Sequence, residues 1–310
     1  MWLPYADAAQ RIGGLPPGLR AEVWDGTGRW PSSVGDVELY VLPYMVGSAA
    51  LAPIEQMTSL DVLQTLTAGY DGIISHLPQA VTLCNARGVH DASTAELAVG
   101  LILASLRGID DFARAAAAGR WLGGPRPALA DKRVLILGYG AVGAAVERRL
   151  AGFEVDVVRV SRTARSEPAG VVHGVDELSA LLPAADVVVV CVRLSTETQG
   201  LVDAQFLSRM SDGALLVNIA RGPVVDTEAL LTEVTAGRLT AALDVTDPEP
   251  LPPGHPLWSA PGVLISPHVG GNTSAFLPRA MTLLADQLAR FASGRPLLNV
   301  VRPGSRRLPL

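Results

Sequence analysis

Cysteine, aromatic residues and long apolar runs are all scarce in this chain of 310 residues. Its two cysteines, Cys84 and Cys191, each sit in a short apolar, strand-like run. Two such thiols are no disulfide framework, so a reduced, cytoplasmic setting is expected. Aromatic side chains make up 5% of the chain. No basic block interleaves with them, which argues against nucleic acid as a partner. Formal net charge is −5, the calculated isoelectric point is about 5.6, and Arg306 and Arg307 read as two charges in a solvated tail. The longest apolar stretches run to about ten residues, half of what a membrane-spanning helix needs. The N-terminus carries Asp7 and has no charged segment followed by an apolar one, so no signal peptide is expected. The histidines do not cluster with acids at ligand spacing, and no metal site is expected.

Apolar residues are abundant, at 49%, with 18% charged. At about 150 residues per domain the chain has room for two. Its clearest signal is Val134–Leu137 followed by Gly138-Tyr139-Gly140-Ala141-Val142-Gly143 and a helical stretch to Leu150. A strand, three glycines at GxGxxG spacing and a helix make the dinucleotide fingerprint. Gly138 permits the tight turn. Gly140 lets a pyrophosphate approach the backbone, and Gly143 lets the helix pack on its strand. The helix N-terminus then faces the phosphates.

Before this unit the chain reads as short α/β pieces. Residues 21–24 and 37–42 are strand candidates, the second stopped by Pro43, and 81–85 is another. Residues 59–66 fit a helix or a strand and run into the glycine-punctuated loop 67–72. Asp91 or Ser93 caps a long helix from about Thr94 to Leu106, with Glu96 completing a capping box on Ser93. A second helix is expected over 109–120. After the fingerprint, strands are expected at 154–160, near 171–172, and at 185–192, 215–218, 239–244 and 263–266. Helices at 175–182, 203–210 and 226–236 lie between them. This alternation implies a doubly wound parallel sheet. A last long helix, 274–292, returns the chain to the first domain.

In such a sheet, ligands bind outside the carboxyl ends of the strands. Three strands there run into polar residues: Asn218-Ile219-Ala220-Arg221-Gly222, Asp244-Val245-Thr246-Asp247-Pro248-Glu249-Pro250, and Ser266-Pro267-His268-Val269-Gly270-Gly271. Hydride transfer to a carbonyl leaves charge on oxygen, and a histidine is suited to neutralise it with a proton. A carboxylate beside the imidazole fixes its tautomer, and an arginine can hold a substrate carboxylate in two prongs. Singly, each residue is more readily a loop residue or a surface charge. On successive strand ends they form a candidate site.

These motifs, with Thr94-Ala95-Glu96, Leu194-Ser195-Thr196-Glu197-Thr198-Gln199-Gly200-Leu201 and Glu249-Pro250-Leu251, resemble the D-isomer-specific 2-hydroxyacid dehydrogenases. The resemblance runs from about Thr67 to Gly271. It implies an α/β fold of two Rossmann-like or flavodoxin-like domains, the nucleotide domain (94–273) being inserted into a discontinuous substrate domain (1–93 and 274–310). It implies that Arg221 binds the substrate carboxylate, that Glu249 pairs with the catalytic His268, and that Asp244 meets the nicotinamide carboxamide. It places Val192, Thr198, Ile219, His268 and Gly270 with the glycine turn at the cofactor, and the backbone of Ala68 and Gly69 at the substrate. It also implies a homodimer formed through the nucleotide domain. Two other branches of similar sequence are a phosphite dehydrogenase and a nucleotide-sensing corepressor. The first carries a lysine where this chain has Thr67 and Ala68; the second adds recruitment tails.

An NAD site usually has an acid about 20 residues after the glycines. Here the second strand runs into Ser161-Arg162-Thr163, and Asp156 comes too early to serve. Arg162, flanked by two hydroxyls and helped by Arg165, suits a 2′-phosphate through charge-assisted bonds. NADP(H) is therefore expected over NAD(H), although NAD(H) can still be accepted. The residues that set the substrate's side chain are less marked. Tyr44, Met45 and Leu77–Pro78 are wall candidates that fit ordinary packing better, and Trp258 is expected to fill a core in preference to reaching a neighbouring subunit's site. Steady-state kinetics with both coenzymes should give a higher kcat/KM for NADPH. NADH at parity would remove the phosphate role of Arg162.

Overall fold

The computed structural model describes residues 1–168 and 170–305; Arg306 and Arg307 lie outside the described residues. The chain divides into two compact units, Met1–His90 with the segment from Ser274 onward, and Asp91–Thr273. In the first unit, strands β1 (Trp2–Leu3), β2 (Glu22–Val23), β3 (Leu39–Val41), β4 (Val62–Gln64) and β5 (Thr82–Cys84) come before the break. The second unit holds β6 (Arg133–Leu137), β7 (Asp156–Ser161), β8 (Arg165–Glu167), β9 (Gly170–Gly174), β10 (Val187–Val190), β11 (Leu215–Asn218), β12 (Thr240–Leu243) and β13 (Val263–Ile265). Helix Phe276–Ala292 and strand β14 (Val300–Arg302) complete the first unit.

The second unit's sheet runs β13-β12-β11-β10-β6-β7-β9-β8. All its pairs are parallel except β8 with β9. The order from β9 through β6 to β12 is the 3-2-1-4-5-6 of a Rossmann sheet, with its switch point between β6 and β10. Successive side chains on these strands face opposite sides. Leu135, Leu137, Val188 and Val190 enter one core, and Val134, Ile136, Val187 and Val189 the other. That is why Val187–Val190 is apolar without alternation. The first unit's sheet runs β14-β5-β4-β3-β1-β2. Its parallel part has the flavodoxin-like order 2-1-3-4-5, and β14 pairs antiparallel with β5.

Local differences from the sequence reading have simple causes. Residues 59–66 resolve as strand β4, because pairing with β3 and β5 decides what periodicity left open. The long helix is Asp91–Arg107, so Ser93 lies in its first turn rather than capping it, and its hydroxyl meets that of Thr273 at 2.8 Å. The next helix ends at Ala117, ahead of Gly119 at φ +64°. Strand β7 begins at Asp156, because Glu154 turns the chain at φ +56°. Residues 175–184 form three short helical segments ahead of β10. Strands β1, β8 and β14 are too short to show a periodicity. Among the described residues, no single helix is long and apolar enough to cross a membrane. None of their His, Cys, Asp and Glu side chains form a metal-binding cluster of three or more.

The returning helix is fastened by a buried polar pair. Gln287 and Gln64 are both fully buried. Gln287 Nε2 donates to Gln64 Oε1 at 2.7 Å and to Leu298 O at 3.2 Å, while its Oε1 accepts from Leu298 N at 2.8 Å. Cys84 is buried in β5, and burial pushes its thiol up to about 12. Gln287→Leu leaves Gln64 Oε1 and the Leu298 amide unpaired. At about 1–3 kcal/mol for each orphaned group, a loss of about 3 kcal/mol is expected in urea unfolding. Cys84 should resist alkylation in the native protein at pH 8 and react once urea unfolds it, because below its raised pKa the sulfur remains a buried thiol.

Candidate active site

Each glycine of the turn between β6 and helix Ala141–Leu150 has its own constraint. Gly138 has φ +104°, and a Cβ there would lie 2.6 Å from Val192 N on the segment after β10. A Cβ on Gly143 would lie 2.6 Å from Gly138 O, so helix and turn pack in backbone contact. A Cβ on Gly140 would meet nothing within 4 Å; its direction is open. Ala141, Val142 and Gly143 form the helix's first turn, and no side chain caps it. First-turn N–H groups lack partners inside the helix and carry the positive end of its dipole. Open space, uncapped amides and small residues fit a dinucleotide pyrophosphate.

Beneath the turn lies an ion pair that the sequence reading missed. Arg159, in the middle of β7, reaches Glu147 on the helix, with its Nε donating to Oε2 at 2.9 Å. Tyr139 O–H also donates to Glu147, and the Arg159 guanidinium lies 5.8 Å from the Tyr139 ring centre. Burial pushes the Glu147 carboxyl up, but its bonds from Arg159 and Tyr139 outweigh this and hold it below the ordinary carboxylate range. A charge inside the run Val157-Val158-Arg159-Val160 was the available signal.

At the end of β7, Ser161 Oγ donates to Thr163 O at 2.7 Å. Arg165 is engaged at all three nitrogens: Nη1 donates to Ser161 Oγ at 2.7 Å, Nη2 to Tyr139 O at 2.8 Å and Nε to Glu167 at 2.8 Å. It braces the glycine turn rather than standing ready for a phosphate, a correction to its expected role. Arg162 makes no hydrogen bond among the described residues. Its charge reaches Glu197, whose carboxyl is held low first by the Ser195 hydroxyl at 2.6 Å and additionally by Arg162. Asp156, the early acid, pairs with Arg133 at 2.7 Å at the start of the strand. Thr198 closes its own loop, donating to Arg193 O at 2.7 Å and accepting from Ser195 N at 2.8 Å.

The three strand ends converge through backbone contacts. Asn218, buried at the end of β11, accepts from Ala220 N at 3.0 Å and donates to Arg221 O at 3.1 Å. This bracket sets the turn that carries Ile219 and Arg221. Gly222 follows where a Cβ would fall 1.9 Å from Thr246 O, so only glycine lets this turn pass the loop after β12. Asp244 is buried, and its carboxylate accepts from Ser266 Oγ at 2.6 Å, Val269 N at 3.0 Å and Gly270 N at 2.9 Å. Its backbone oxygen accepts from His268 N at 2.8 Å. His268 sits at φ +52°, a left-handed conformation that these bonds impose on the loop. Its Nδ1 lies 2.5 Å from Glu249 Oε1, both side chains being partly exposed. With the carboxylate ionised, the proton belongs on Nδ1, and Nε2 is the atom that can exchange a proton with a substrate.

In the first unit, Ala68 and Gly69 lie in the loop after β4, and their N–H groups have no acceptor among the described residues. Tyr44 stacks on Phe276 at 4.1 Å and on His90 at 5.6 Å, a packing role. Leu77 is buried and Met45 is exposed. Trp258, expected in a core, is 53% exposed, with its indole N–H bonded to Pro252 O.

A Rossmann unit with uncapped amides at its glycine turn and a histidine–carboxylate pair at the same sheet edge defines a dinucleotide-dependent oxidoreductase. Residues 99–270 match the family model for the D-isomer specific 2-hydroxyacid dehydrogenase, NAD binding domain. A glyoxylate reductase of Thermofilum pendens is 34% identical over 251 residues, 76% of this chain and 73% of that protein. The crystal structure of a D-isomer specific 2-hydroxyacid dehydrogenase from Xanthobacter autotrophicus Py2, in complex with NADPH and MES, has a TM-score of 0.81, 30% identity and 97% coverage of both chains. An NADPH-dependent glyoxylate/hydroxypyruvate reductase from Sinorhizobium meliloti, in complex with NADP and malonate, has a TM-score of 0.77 and 26% identity, covering 93% of this chain and 92% of that one. The chain belongs to the D-isomer-specific 2-hydroxyacid dehydrogenase family. It is an oxidoreductase whose cofactor is a nicotinamide dinucleotide.

Two glycine substitutions separate shape from ligand binding. Gly140→Ala should leave thermal stability within about 1 kcal/mol of wild type, since its Cβ enters open space, while weakening coenzyme binding at least tenfold in a fluorescence titration. Gly222→Ala should unfold or displace the Arg221 turn, seen as a lowered Tm together with loss of turnover.

Proposed function

We propose that this protein reduces a small 2-keto acid of the glyoxylate or hydroxypyruvate type to a D-2-hydroxy acid, with NADPH preferred over NADH. The observation that carries this reading is the 2.5 Å pair of His268 Nδ1 and Glu249, presented by a loop that Asp244 holds from below. The glycine turn from Gly138 to Gly143 would hold a reduced nicotinamide dinucleotide, which would supply the hydride for C2 of the keto acid. His268, oriented through Nδ1 by the Glu249 carboxylate, delivers a proton from Nε2 to the ketone oxygen as charge develops there. Arg221 is suited to hold the substrate carboxylate in two prongs. In the first unit, the free amides of Ala68 and Gly69 are suited to receive a carboxylate. Asp244 spends three acceptor positions on its own loop. A carboxylate has about four, which leaves one for a carboxamide N–H.

The coenzyme preference is supported by the contrast among three arginines at one edge. Arg159 is neutralised by Glu147 and Arg165 is bound to Tyr139, Ser161 and Glu167. Arg162, beside Ser161 and Thr163, is uncommitted to a hydrogen bond and suits a phosphate dianion. The Xanthobacter relative holds NADPH and the Sinorhizobium relative NADP, in keeping with this. Self-association as a homodimer is supported by apolar side chains left in solvent on one stretch of the nucleotide unit: Ile109, Phe112, Leu122 and a fully exposed Trp121.

Loss of absorbance at the reduced-nicotinamide band, with glyoxylate, hydroxypyruvate and pyruvate as substrates, tests the reading directly. Turnover by wild type, and a fall of about a thousandfold or more in kcat for His268→Gln with coenzyme binding retained, are expected. No turnover with any 2-keto acid would overturn it. Arg162→Ala should raise KM for NADPH at least tenfold and leave that for NADH within twofold; equal effects on both would refute the phosphate role. Light scattering should show a dimer for wild type and a monomer for Trp121→Asp.

A further inference from the structure

In the loop after β4, every carbonyl from Leu66 to Gly69 is held. Leu66 O is 2.8 Å from His90 Nε2. Thr67 O accepts from Thr65 Oγ1 at 2.8 Å and from Ala86 N at 2.9 Å. Ala68 O accepts from Asn85 Nδ2 at 2.7 Å, and Gly69 O from Thr67 Oγ1 at 2.6 Å. The amides of Ala68 and Gly69 contrast with this, having no acceptor among the described residues. In a trans peptide the C=O of one residue and the N–H of the next lie in one plane and point opposite ways. A bond that pins Thr67 O therefore aims the Ala68 N–H, and a bond that pins Ala68 O aims the Gly69 N–H. Successive backbone amides left without a protein acceptor in a loop are the donors from which anion sites are built.

The two side chains that hold these planes are themselves fixed. Thr65 is fully buried. Asn85 Oδ1 accepts from Arg87 N at 3.2 Å, which sets its amide with Nδ2 toward Ala68. Its backbone oxygen accepts from Gln64 Nε2 at 3.1 Å, and Gln64 is held in turn by Gln287 of the returning helix at 2.7 Å. A run of hydrogen bonds thus leads from helix Phe276–Ala292 through Gln64 and Asn85 to the carbonyl of Ala68.

We infer that Asn85 and Thr65 are positioning residues of the substrate's carboxylate, acting by orienting the Gly69 and Ala68 amides that receive it. This rests on the 2-keto-acid reading above. Neither side chain touches substrate. Asn85 holds Ala68 O, and Thr65 shares Thr67 O with Ala86 N, so each takes part in setting where an N–H points.

Asn85→Asp keeps the size and the acceptor but puts a carboxylate oxygen against Ala68 O, which turns that peptide plane. Thr65→Val keeps shape and removes one donor, and Thr65→Ser restores it. With glyoxylate as substrate, Asn85→Asp should raise KM and the inhibition constant of oxalate by about tenfold to a hundredfold, the range for a lost hydrogen bond to a charged group. Thr65→Val should shift both in the same direction by a smaller factor, and Thr65→Ser should return them to within twofold of wild type. The NADPH dissociation constant, read by fluorescence, should remain within twofold throughout. Unchanged KM and oxalate inhibition in a folded Asn85→Asp or in Thr65→Val would overturn the inference. So would a loss of NADPH affinity in step with KM, which marks general damage. If Asn85→Asp does not fold, the Thr65 pair decides alone. Wild-type protein inactive toward every 2-keto acid would overturn the functional reading itself, a result distinguishable from either of these.

Discussion

The geometry of the candidate site depends on one buried carboxylate. Asp244 follows β12 almost wholly out of water, and a polar group buried there must be satisfied by donors. It takes them from Ser266, Val269 and Gly270, all in the loop after the neighbouring strand β13. Those bonds, with the one from His268 N to its backbone oxygen, draw the loop into a left-handed turn at His268. A residue in that conformation costs about 1–3 kcal/mol when unsupported, so the turn persists because several bonds determine it together. Glu249 can then meet the imidazole from the loop that begins at Asp244 itself.

Charge at the nucleotide edge is arranged by a similar economy. Of three arginines near the second strand, one is spent on Glu147 under the glycine turn and one on bracing that turn through Tyr139. Only Arg162 is left without a hydrogen bond among the described residues, so the edge presents one uncommitted guanidinium beside two hydroxyls. The proposed coenzyme preference rests on which charges the fold has already neutralised. Counting cations in the sequence cannot show that.

Legibility varied with the range of the interaction. The glycine turn and the alternating strands of the second unit were readable because fingerprint and period are local. The Arg221, Glu249 and His268 strand ends were readable because a parallel sheet places all its carboxyl ends on one edge. Arg165 departs from its expected role because Tyr139, whose carbonyl it binds, comes within its reach only when β7 pairs with β6. Trp258 does not fill a core as expected: it is half-exposed, and its indole N–H binds Pro252 O. The short strands β1 and β14 carry too few residues to show a period.

By itself the sequence determined the fold class, the dinucleotide turn and the set of chemical groups at the sheet edge. Each of these is written in residues close together along the chain or in a repeating pattern. Tertiary structure alone decided which groups are free to act. It consumed Arg165 and Arg159 in bracing, turned His268 through the hold of Asp244, and tied the carbonyls of Thr67 and Ala68 to Thr65, Ala86 and Asn85. The physical reason is that a side chain's availability depends on its partners, and those partners meet only when distant strands pair.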